Sequence, residues 1–321
     1  MHKAITRAAS VTLLATAVCF SSAASAETRI TYKSAKSTSS YYQMGVQIAE
    51  AMKAATNGEI IVTVEESQGS VQNVMETRAR GGDYVFTTPP VLVSLAQGGK
   101  AMFKDKGDPK FDTIRGLFPI PSLTMHFVMS ANSGVTDFAG MEGKTILLGK
   151  GSFGAREGEK YLELFGLKDK VKLAEVELSN AVPALKNGQI DGFVTAGSWP
   201  APNVIEAAAS TGVKVISLTD DQIAASNRAK LVIPAGTYAG QDADITTTSL
   251  PVAAFTTTAM SDEAAYTLTK TFWESKAGMG KGAPWWNGVD KGLMANLTVK
   301  LHPGAVRYYE EAGFALTDKQ K

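Results

Sequence analysis

Cysteine and histidine are both scarce in this chain of 321 residues, which contains one cysteine and three histidines. Cys19 lies close to the amino terminus, and His126 and His302 lie far apart in the body of the chain. Disulfide frameworks and cysteine-type zinc sites need several cysteines at regular spacings. The body of the chain therefore has no material for a disulfide or a thiolate nucleophile, and we predict no metal and no cofactor.

The usual catalytic signatures are missing as well. Neither H-E-x-x-H nor G-x-S-x-G occurs in the sequence, so a zinc hydrolase and a serine esterase have no support. His126 falls in an apolar stretch, where a buried structural histidine is expected, and His302 precedes Pro303 and Gly304 in a predicted turn. We therefore expect a binding protein rather than an enzyme.

The chain also lacks an excess of charge of either sign and has no long basic run. It contains 32 Lys and Arg against 31 Asp and Glu. Binding to a nucleic-acid backbone depends on neutralising many phosphates with clustered basic residues. The composition therefore excludes nucleic acid as a natural partner.

The first 26 residues have the pattern of a secretory signal peptide. Lys3 and Arg7 precede an uncharged apolar stretch over residues 8–20, and Ala24-Ser25-Ala26 is a small-residue cleavage site. The stretch is too short to cross a bilayer, which needs about 20 residues. A lipid anchor on Cys19 is disfavoured because Val18 is not small. We expect cleavage after Ala26 and a periplasmic mature protein, with 30 basic and 31 acidic residues and a net charge of −1.

The body of the chain repeats one β-loop-helix-β pattern in two places. Strands are predicted over residues 28–32, 60–64 and 84–86, with helices over 41–55 and 70–80 between them. The pattern restarts with strands over 144–148, 171–178 and 192–194 and helices over 155–165 and 180–187. This alternation predicts an α/β fold with parallel or mixed sheets flanked by helices.

Two apolar stretches, residues 116–131 and 249–258, follow the two repeats and are long enough to cross between them. We therefore predict a two-lobed, type II-like binding-protein fold. Residues 27–127 and 251–321 would form lobe one, and residues 128–250 would form lobe two. Ligands of open α/β sheets bind beyond the carboxyl ends of the strands, which here predicts a cleft between two facing sheets.

Three polar loops at strand ends are the predicted wall of lobe one. They are rich in hydroxyl groups, which either bind a ligand or cap the following helix, and Ser39 or Ser40 is expected to be such a cap. The candidate ligand-binding residues in these loops are Lys36, Ser37, Ser39, Ser40, Tyr41, Gly69, Ser70, Asn73, Thr87 and Thr88.

The predicted wall of lobe two is a glycine-rich loop between a strand and a helix. Residues 149–154 satisfy G-x-G-x-x-G, and Glu175 and Glu177 lie roughly where a ribose-binding acid would follow, so a dinucleotide site and a plain tight turn are both alternatives. Glycines let backbone N–H groups converge at a helix N-terminus, where an anion is stabilised. The candidates on this wall are Lys150, Gly151, Ser152, Phe153, Gly154, Arg156, Ser198 and Trp199, the last of which could instead cover the core of the lobe.

Five segments resemble the TAXI family of solute-binding proteins, which serve tripartite ATP-independent periplasmic (TRAP) transporters. They are Tyr41-Tyr42, the G-S-x-x-N at residues 69–73, and residues 185–193, 233–242 and 301–310, and together they span the mature chain. The resemblance implies a two-lobed receptor for a small carboxylate or amino acid, which it delivers to the membrane subunits of an ion-coupled transporter. The last two segments are expected to be signatures of the fold.

The predicted binding loops depart from the family pattern. The first loop carries Lys36 and hydroxyl residues in place of glycines, residues 87–89 replace a glutamine-rich triplet, and Phe153 and Ala155 replace small hydroxyl residues. The resemblance therefore does not fix the ligand. A receptor that signals to a membrane sensor kinase is an alternative function, and an exported enzyme that uses the same cleft is another.

Overall fold

The computed structural model describes residues 27–321, so the predicted signal peptide lies outside the described residues. The strands are β1 (Thr28–Lys33), β2 (Ile60–Glu65), β3 (Tyr84–Thr88), β4 (Ile114–Ser130), β5 (Thr145–Leu147), β6 (Lys172–Ala174), β7 (Gly192–Gly197), β8 (Val213–Val215), β9 (Ala229–Ile233) and β10 (Ile245–Thr257). The α-helices are α1 (Ser40–Ala55), α2 (Ser70–Glu76), α3 (Pro90–Gln97), α4 (Phe153–Leu164), α5 (Ala181–Lys186), α6 (Pro202–Thr211), α7 (Asp220–Ser226), α8 (Asp262–Gly282) and α9 (Pro303–Glu311).

The strands form one mixed sheet in the order β2-β1-β3-β10-β4-β7-β5-β6, with β8 paired to β4 and β9 paired to β10. Strands β1–β3 pair in parallel at one end, and β5–β7 pair in parallel at the other. We call these the β1–β3 half and the β5–β7 half. The α/β fold class is confirmed, but the two expected sheets are continuous because β4 and β10 run through both halves.

The long strands β4 and β10 account for both predicted crossings. Their antiparallel pairing runs from Thr257 opposite Ile114 to Ser249 opposite Thr124. Beyond that point β4 pairs with β7 and β10 pairs with β9. The β4–β10 register shifts twice, once around Pro251, and a proline is tolerated at such a bulge because it has no N–H to donate to the ladder. The bulges increase the bend of the strands between the two halves.

Two predicted elements are shorter in the structure. The helix expected to reach Arg80 ends at Glu76. The N–H groups of residues 77–79 bond to the carbonyl three residues earlier instead of four, and the chain then turns at Gly82. An added Cβ on Gly82 would overlap the Ala259 carbonyl oxygen, so this turn is packed closely against the residues that follow β10. The strand expected over residues 171–178 covers only Lys172–Ala174 and gives way to a 3-10 helix at Leu178–Asn180.

Two hydrophobic cores support the sheet. The larger contains the stacked rings of Tyr84, Phe86 and Phe255 and extends under α8 to the fully buried Trp286. The smaller packs α5 and α6 on the β5–β7 half around Phe193 and Tyr238. The larger core also continues below α4, so the two halves do not have wholly separate interiors. Within residues 27–321, none of the helices combines the length and hydrophobicity that spanning a bilayer requires.

Candidate functional site

A cavity lies between the carboxyl ends of strands from the two halves. It encloses about 660 Å³ of space, including the part that opens to solvent. Ten of the predicted site residues line it: Lys36, Ser39, Tyr41, Gly69, Ser70, Thr87, Lys150, Ser152, Phe153 and Gly154. This position beyond the strand ends is where open α/β sheets bind ligands.

Three helices begin at this cavity, and their N-cap residues all line it. Ser39 caps α1, Gly69 precedes α2 and Ser152 caps α4. The first N–H groups of a helix have no acceptor within the helix, and the helix dipole adds partial positive charge at that end. The cavity therefore has donors from both halves that favour an anion.

The glycine-rich loop before α4 is shaped by two residues in the left-handed region. Gly149 has φ of +83° and Gly151 has φ of +79°, a conformation that side chains disfavour. The Lys150 N–H donates to the Val176 carbonyl, and Ser152 Oγ accepts from the Ala155 N–H at 2.9 Å. The N–H groups of the first two residues of α4 keep no intrahelical acceptor and lie at the cavity.

Close packing of α4 on β7 brings those N–H groups to the cleft. An added Cβ on Gly154 would lie 2.9 Å from the Cβ of Ala196, and one on Gly158 would lie 3.1 Å from both Leu148 and Val194. Glycine at these two helical positions is therefore required by the close approach of the helix to the sheet. A dinucleotide site and this packing use glycine for the same reason, so the motif alone does not separate them.

The opposite wall is held by buried hydrogen bonds. Ser34 Oγ donates to the Tyr41 carbonyl at 2.6 Å, and Asn73 Nδ2 donates to the carbonyls of Ser34 at 2.7 Å and Thr87 at 2.9 Å. Asn73 is fully buried and does not line the cavity. The G-S-x-x-N segment thus uses its asparagine to fasten three loops of the β1–β3 half together.

Two tyrosines give this wall its rigid polar groups. Tyr41 donates its hydroxyl to the Pro121 carbonyl at 3.1 Å, and burial raises its pKa well above the ordinary value. Tyr32 bonds to Thr87 Oγ1 at 2.9 Å, and burial raises the pKa of Tyr32 to about 12. Both phenols are therefore neutral at physiological pH, and the wall carries no negative charge from them.

The lysines that line the cavity each have an acidic partner. Lys36 Nζ lies 2.8 Å from Glu177 Oε2, and Lys150 Nζ lies 3.4 Å from Glu175 Oε2. The first pair joins the two halves, and Gln68 Nε2 donates to Glu177 Oε1 at 2.8 Å beside it. The Lys150 pair is largely exposed, with 66% of the lysine side chain accessible.

Eight predicted residues do not line the cavity: Ser37, Ser40, Asn73, Thr88, Gly151, Arg156, Ser198 and Trp199. Ser40 is buried and its Oγ accepts from the Ser198 N–H at 2.8 Å, so these two residues join the halves behind the cavity. Thr88 is buried inside the sheet, and Ser37 is exposed on the loop.

The remaining three lie around the second wall. Gly151 and the exposed Arg156 line a shallow depression on the outer side of the glycine-rich loop. The sequence left open whether Trp199 contacts a ligand or covers the core of the lobe. In the structure its side chain packs on the smaller core.

Apart from Phe153, sequence reasoning missed the apolar part of the lining. The missed residues that line the cavity are Leu123, Leu148, Leu178, Val194 and Ala196. Each belongs to an element that also needs apolar residues for its own core. The sequence therefore does not show which apolar residues line the cavity and which pack in the core. Ser34, Ala35 and Gln68 were also missed, although each directly adjoins a predicted segment.

Both histidines of the described region are structural. His126 is fully buried, its Nε2 lies 2.8 Å from the Tyr238 hydroxyl, and its Nδ1 lies 3.2 Å from the Thr124 carbonyl. His302 caps α9 by accepting from the Gly304 N–H. Over the part of the chain that the structure describes, no three His, Cys, Asp or Glu residues are grouped so as to hold a metal ion.

Comparison with known proteins shows the family and the fold of this chain. The NMT1-like family model matches residues 33–313. The periplasmic binding protein BugD is similar at a TM-score of 0.57 and 11% identity, over 89% of this chain and 98% of that one. A protein of Bordetella bronchiseptica RB50 is similar at a TM-score of 0.51 and 16% identity, over 92% and 85% of the two chains.

A more distant structure is a TRAP periplasmic solute-binding protein from Desulfovibrio salexigens DSM2638 in complex with diglycerolphosphate. Its TM-score is 0.44 and its identity 11%, over 92% of this chain and 93% of that one. The similarity to BugD and to the Bordetella protein shows the fold and leaves the ligand open. The chain belongs to the NMT1-like family and has the α/β fold of the periplasmic solute-binding proteins.

Proposed function

We propose that this protein is a periplasmic receptor of the TAXI type, which captures a small anionic metabolite and delivers it to the membrane subunits of a TRAP-type transporter. The metabolite would be a carboxylate or an amino acid. Family and fold support the receptor role in general, and the resemblance of five segments supports the transporter type. The signal-peptide pattern of residues 1–26 supports export.

The observation that carries the proposal is the convergence of three helix N-termini on one cavity. Ser39, Gly69 and Ser152 come from both halves, so one ligand would contact the starts of α1, α2 and α4 together. Backbone N–H groups at such sites bind carboxylate and phosphate groups alike. A charge-assisted hydrogen bond contributes about 1.5–3 kcal/mol, so three of them contribute about 4.5–9 kcal/mol, which is a large share of the ~8 kcal/mol that a micromolar affinity requires.

Closure around the ligand would involve the two long strands. In this proposal residues 27–127 and 251–321 form one lobe, residues 128–250 form the other, and β4 and β10 bend between them. A ligand that contacts both walls favours the closed form by the difference between its affinities for the two states. The bulge of β10 near Pro251 lies at the proposed boundary between the lobes, where such a hinge is needed.

A thermal-unfolding screen of the mature protein tests the ligand class. Small carboxylates and amino acids would be compared with the amides and alcohols of the same carbon skeletons. A ligand at 100 times its dissociation constant adds about 2.7 kcal/mol of stability, which raises the midpoint by several degrees. Stabilisation by the neutral compounds alone would refute an anion site.

A pair of matched variants locates the site. Ser70→Leu places an apolar side chain at the cavity wall, and we expect it to abolish the stabilisation by the ligand. Ser94→Leu makes the same chemical change on the exposed face of α3 and should leave the stabilisation intact. Equal responses of the two variants would place the ligand elsewhere on the protein.

A further inference from the structure

Glu177 lies beside this cavity and is contacted by two side chains from the opposite half. Among the described residues, these are the contacts of an ionised side chain that join the two halves at the cavity. Glu177 follows β6 in the β5–β7 half, and it accepts from Lys36 Nζ at 2.8 Å and from Gln68 Nε2 at 2.8 Å in the other half. The Lys36 side chain is 25% exposed and that of Glu177 is 41% exposed. Lys36, which lines the cavity and could bind an anion there, is therefore already paired with Glu177.

A second carboxylate lies beside the same lysine. Glu66 Oε1 accepts from the Ser37 N–H at 2.6 Å. Hydrogen bonding by the Ser37 side chain and by this N–H lowers the pKa of Glu66, and the charge of Lys36 lowers it further. Hydrogen bonds from Lys36 and Gln68 lower the pKa of Glu177. Both acids are therefore ionised at neutral pH, and Lys36 with its two acidic neighbours carries a net charge of −1.

Among residues 27–321 the rest of the cavity lining contributes one further cation, Lys150. It is paired with Glu175 and mostly exposed, so solvent and salt screen its charge. Leu123, Leu148, Phe153 and Val194 form an apolar surface opposite the polar loops, and Leu178 directly follows Glu177. A carboxylate at the helix N-termini would be stabilised, whereas a second one would lie against apolar side chains or near Glu177.

We propose that Glu177 is a specificity-determining residue that restricts the ligand to a single negative charge. By neutralising Lys36 it removes the cation that a second carboxylate would need, and it repels that carboxylate directly. The preferred ligand is then a monocarboxylate, or an amino acid without a charged side chain, whose remainder is largely apolar. The inference rests on the proposed function, since it specifies the ligand of the same cavity.

Isothermal titration with matched ligand pairs tests this inference. Hexanoate would be compared with adipate, monomethyl succinate with succinate, and glutamine with glutamate. We expect the wild-type protein to bind the member with one carboxylate of the preferred pair at least tenfold more tightly than the member with two. Glu177→Gln should reduce that ratio about fivefold, because it removes one unit charge that repels the second carboxylate in partly exposed surroundings.

The substituted amide keeps one oxygen, which accepts from either Lys36 or Gln68, and both contacts lie at partly exposed side chains, so the fold is expected to remain intact. Glu163→Gln is the matched control, because it removes the same charge from an exposed site on α4 that contacts Lys168. Its ratio should equal that of the wild type. Raising the salt concentration should narrow the wild-type ratio in the same direction as Glu177→Gln, since exposed charges are screened.

Two failures are distinguishable. If the wild-type protein binds the members with two carboxylates as tightly as those with one, or if Glu177→Gln leaves the ratio unchanged, the role of Glu177 is refuted while carboxylate binding stands. If no carboxylate binds and only neutral compounds do, the proposed function is refuted and the inference with it.

Discussion

Acid should destabilise this protein through one buried histidine. His126 lies at the centre of the sheet, where burial lowers its pKa from 6.5 to about 4. The Ala201 N–H donates to the Tyr238 oxygen, the Tyr238 hydroxyl donates to His126 Nε2, and His126 Nδ1–H donates to Thr124. This chain of donors needs a neutral imidazole, because a proton on Nε2 would leave the tyrosine hydroxyl without its acceptor.

The sign of the effect follows from the lowered pKa. The unfolded chain binds the proton near pH 6.5 and the folded protein only near pH 4, so stability is complete above pH 6.5 and falls as the pH decreases between these values. One pKa unit corresponds to 1.36 kcal/mol. His126 should therefore remove about 1.4 kcal/mol at pH 5.5 and about 2.5 kcal/mol at pH 4.5 from the free energy of unfolding.

Urea unfolding at pH 7.5, 5.5 and 4.5 would measure this loss, with His126→Gln as the comparison. The glutamine accepts a hydrogen bond but does not titrate, so the variant should be less stable at pH 7.5 yet lose about 2.5 kcal/mol less than the wild type on going to pH 4.5. Other groups, including His302 with its own lowered pKa, contribute equally to both proteins. Parallel pH profiles of the two proteins would refute the reasoning.

Three further substitutions test the site and the fold. Ser152→Ala removes the N-cap of α4 and should lower the free energy of unfolding in urea by about 1 kcal/mol. It should also lower the ligand affinity, because Ser152 lines the cavity. An unchanged affinity would show that Ser152 caps the helix without contacting the ligand. Lys150→Ala breaks only an exposed ion pair, so we expect the free energy of unfolding to change by less than about 0.5 kcal/mol. Calorimetry should show weaker binding of an anion. An affinity equal to that of the wild type would show that Lys150 does not contact the ligand. Gly304→Ala should lower the thermal midpoint strongly, because the added Cβ would overlap the Asp262 carbonyl oxygen. The control is Gly282→Ala, whose added Cβ meets nothing within 4 Å and should leave the midpoint unchanged. Similar midpoints for the two variants would contradict the packing of α9 on α8.

Local sequence patterns determined most elements of this protein. The β-loop-helix-β repeats predicted β1, α1, β2, β3 and β7 to within a few residues, because period and turn residues act over short distances. The long apolar stretches predicted β4 and β10, and Ser39 was among the predicted caps. The loops that begin α1, α2 and α4 were identified as site candidates because strand-to-helix turns of a parallel sheet share one edge.

Tertiary structure alone decided how those parts meet. Whether β4 and β10 join two sheets or belong to one depends on long-range pairing, which leaves no local pattern. Asn73 turns inward to bond the carbonyls of Ser34 and Thr87, and Glu177 reaches across to Lys36, because residues distant in the sequence become neighbours only after folding. The sequence by itself established the type of fold and the loops of the site, whereas the charge balance inside the cleft arises from contacts between its two walls.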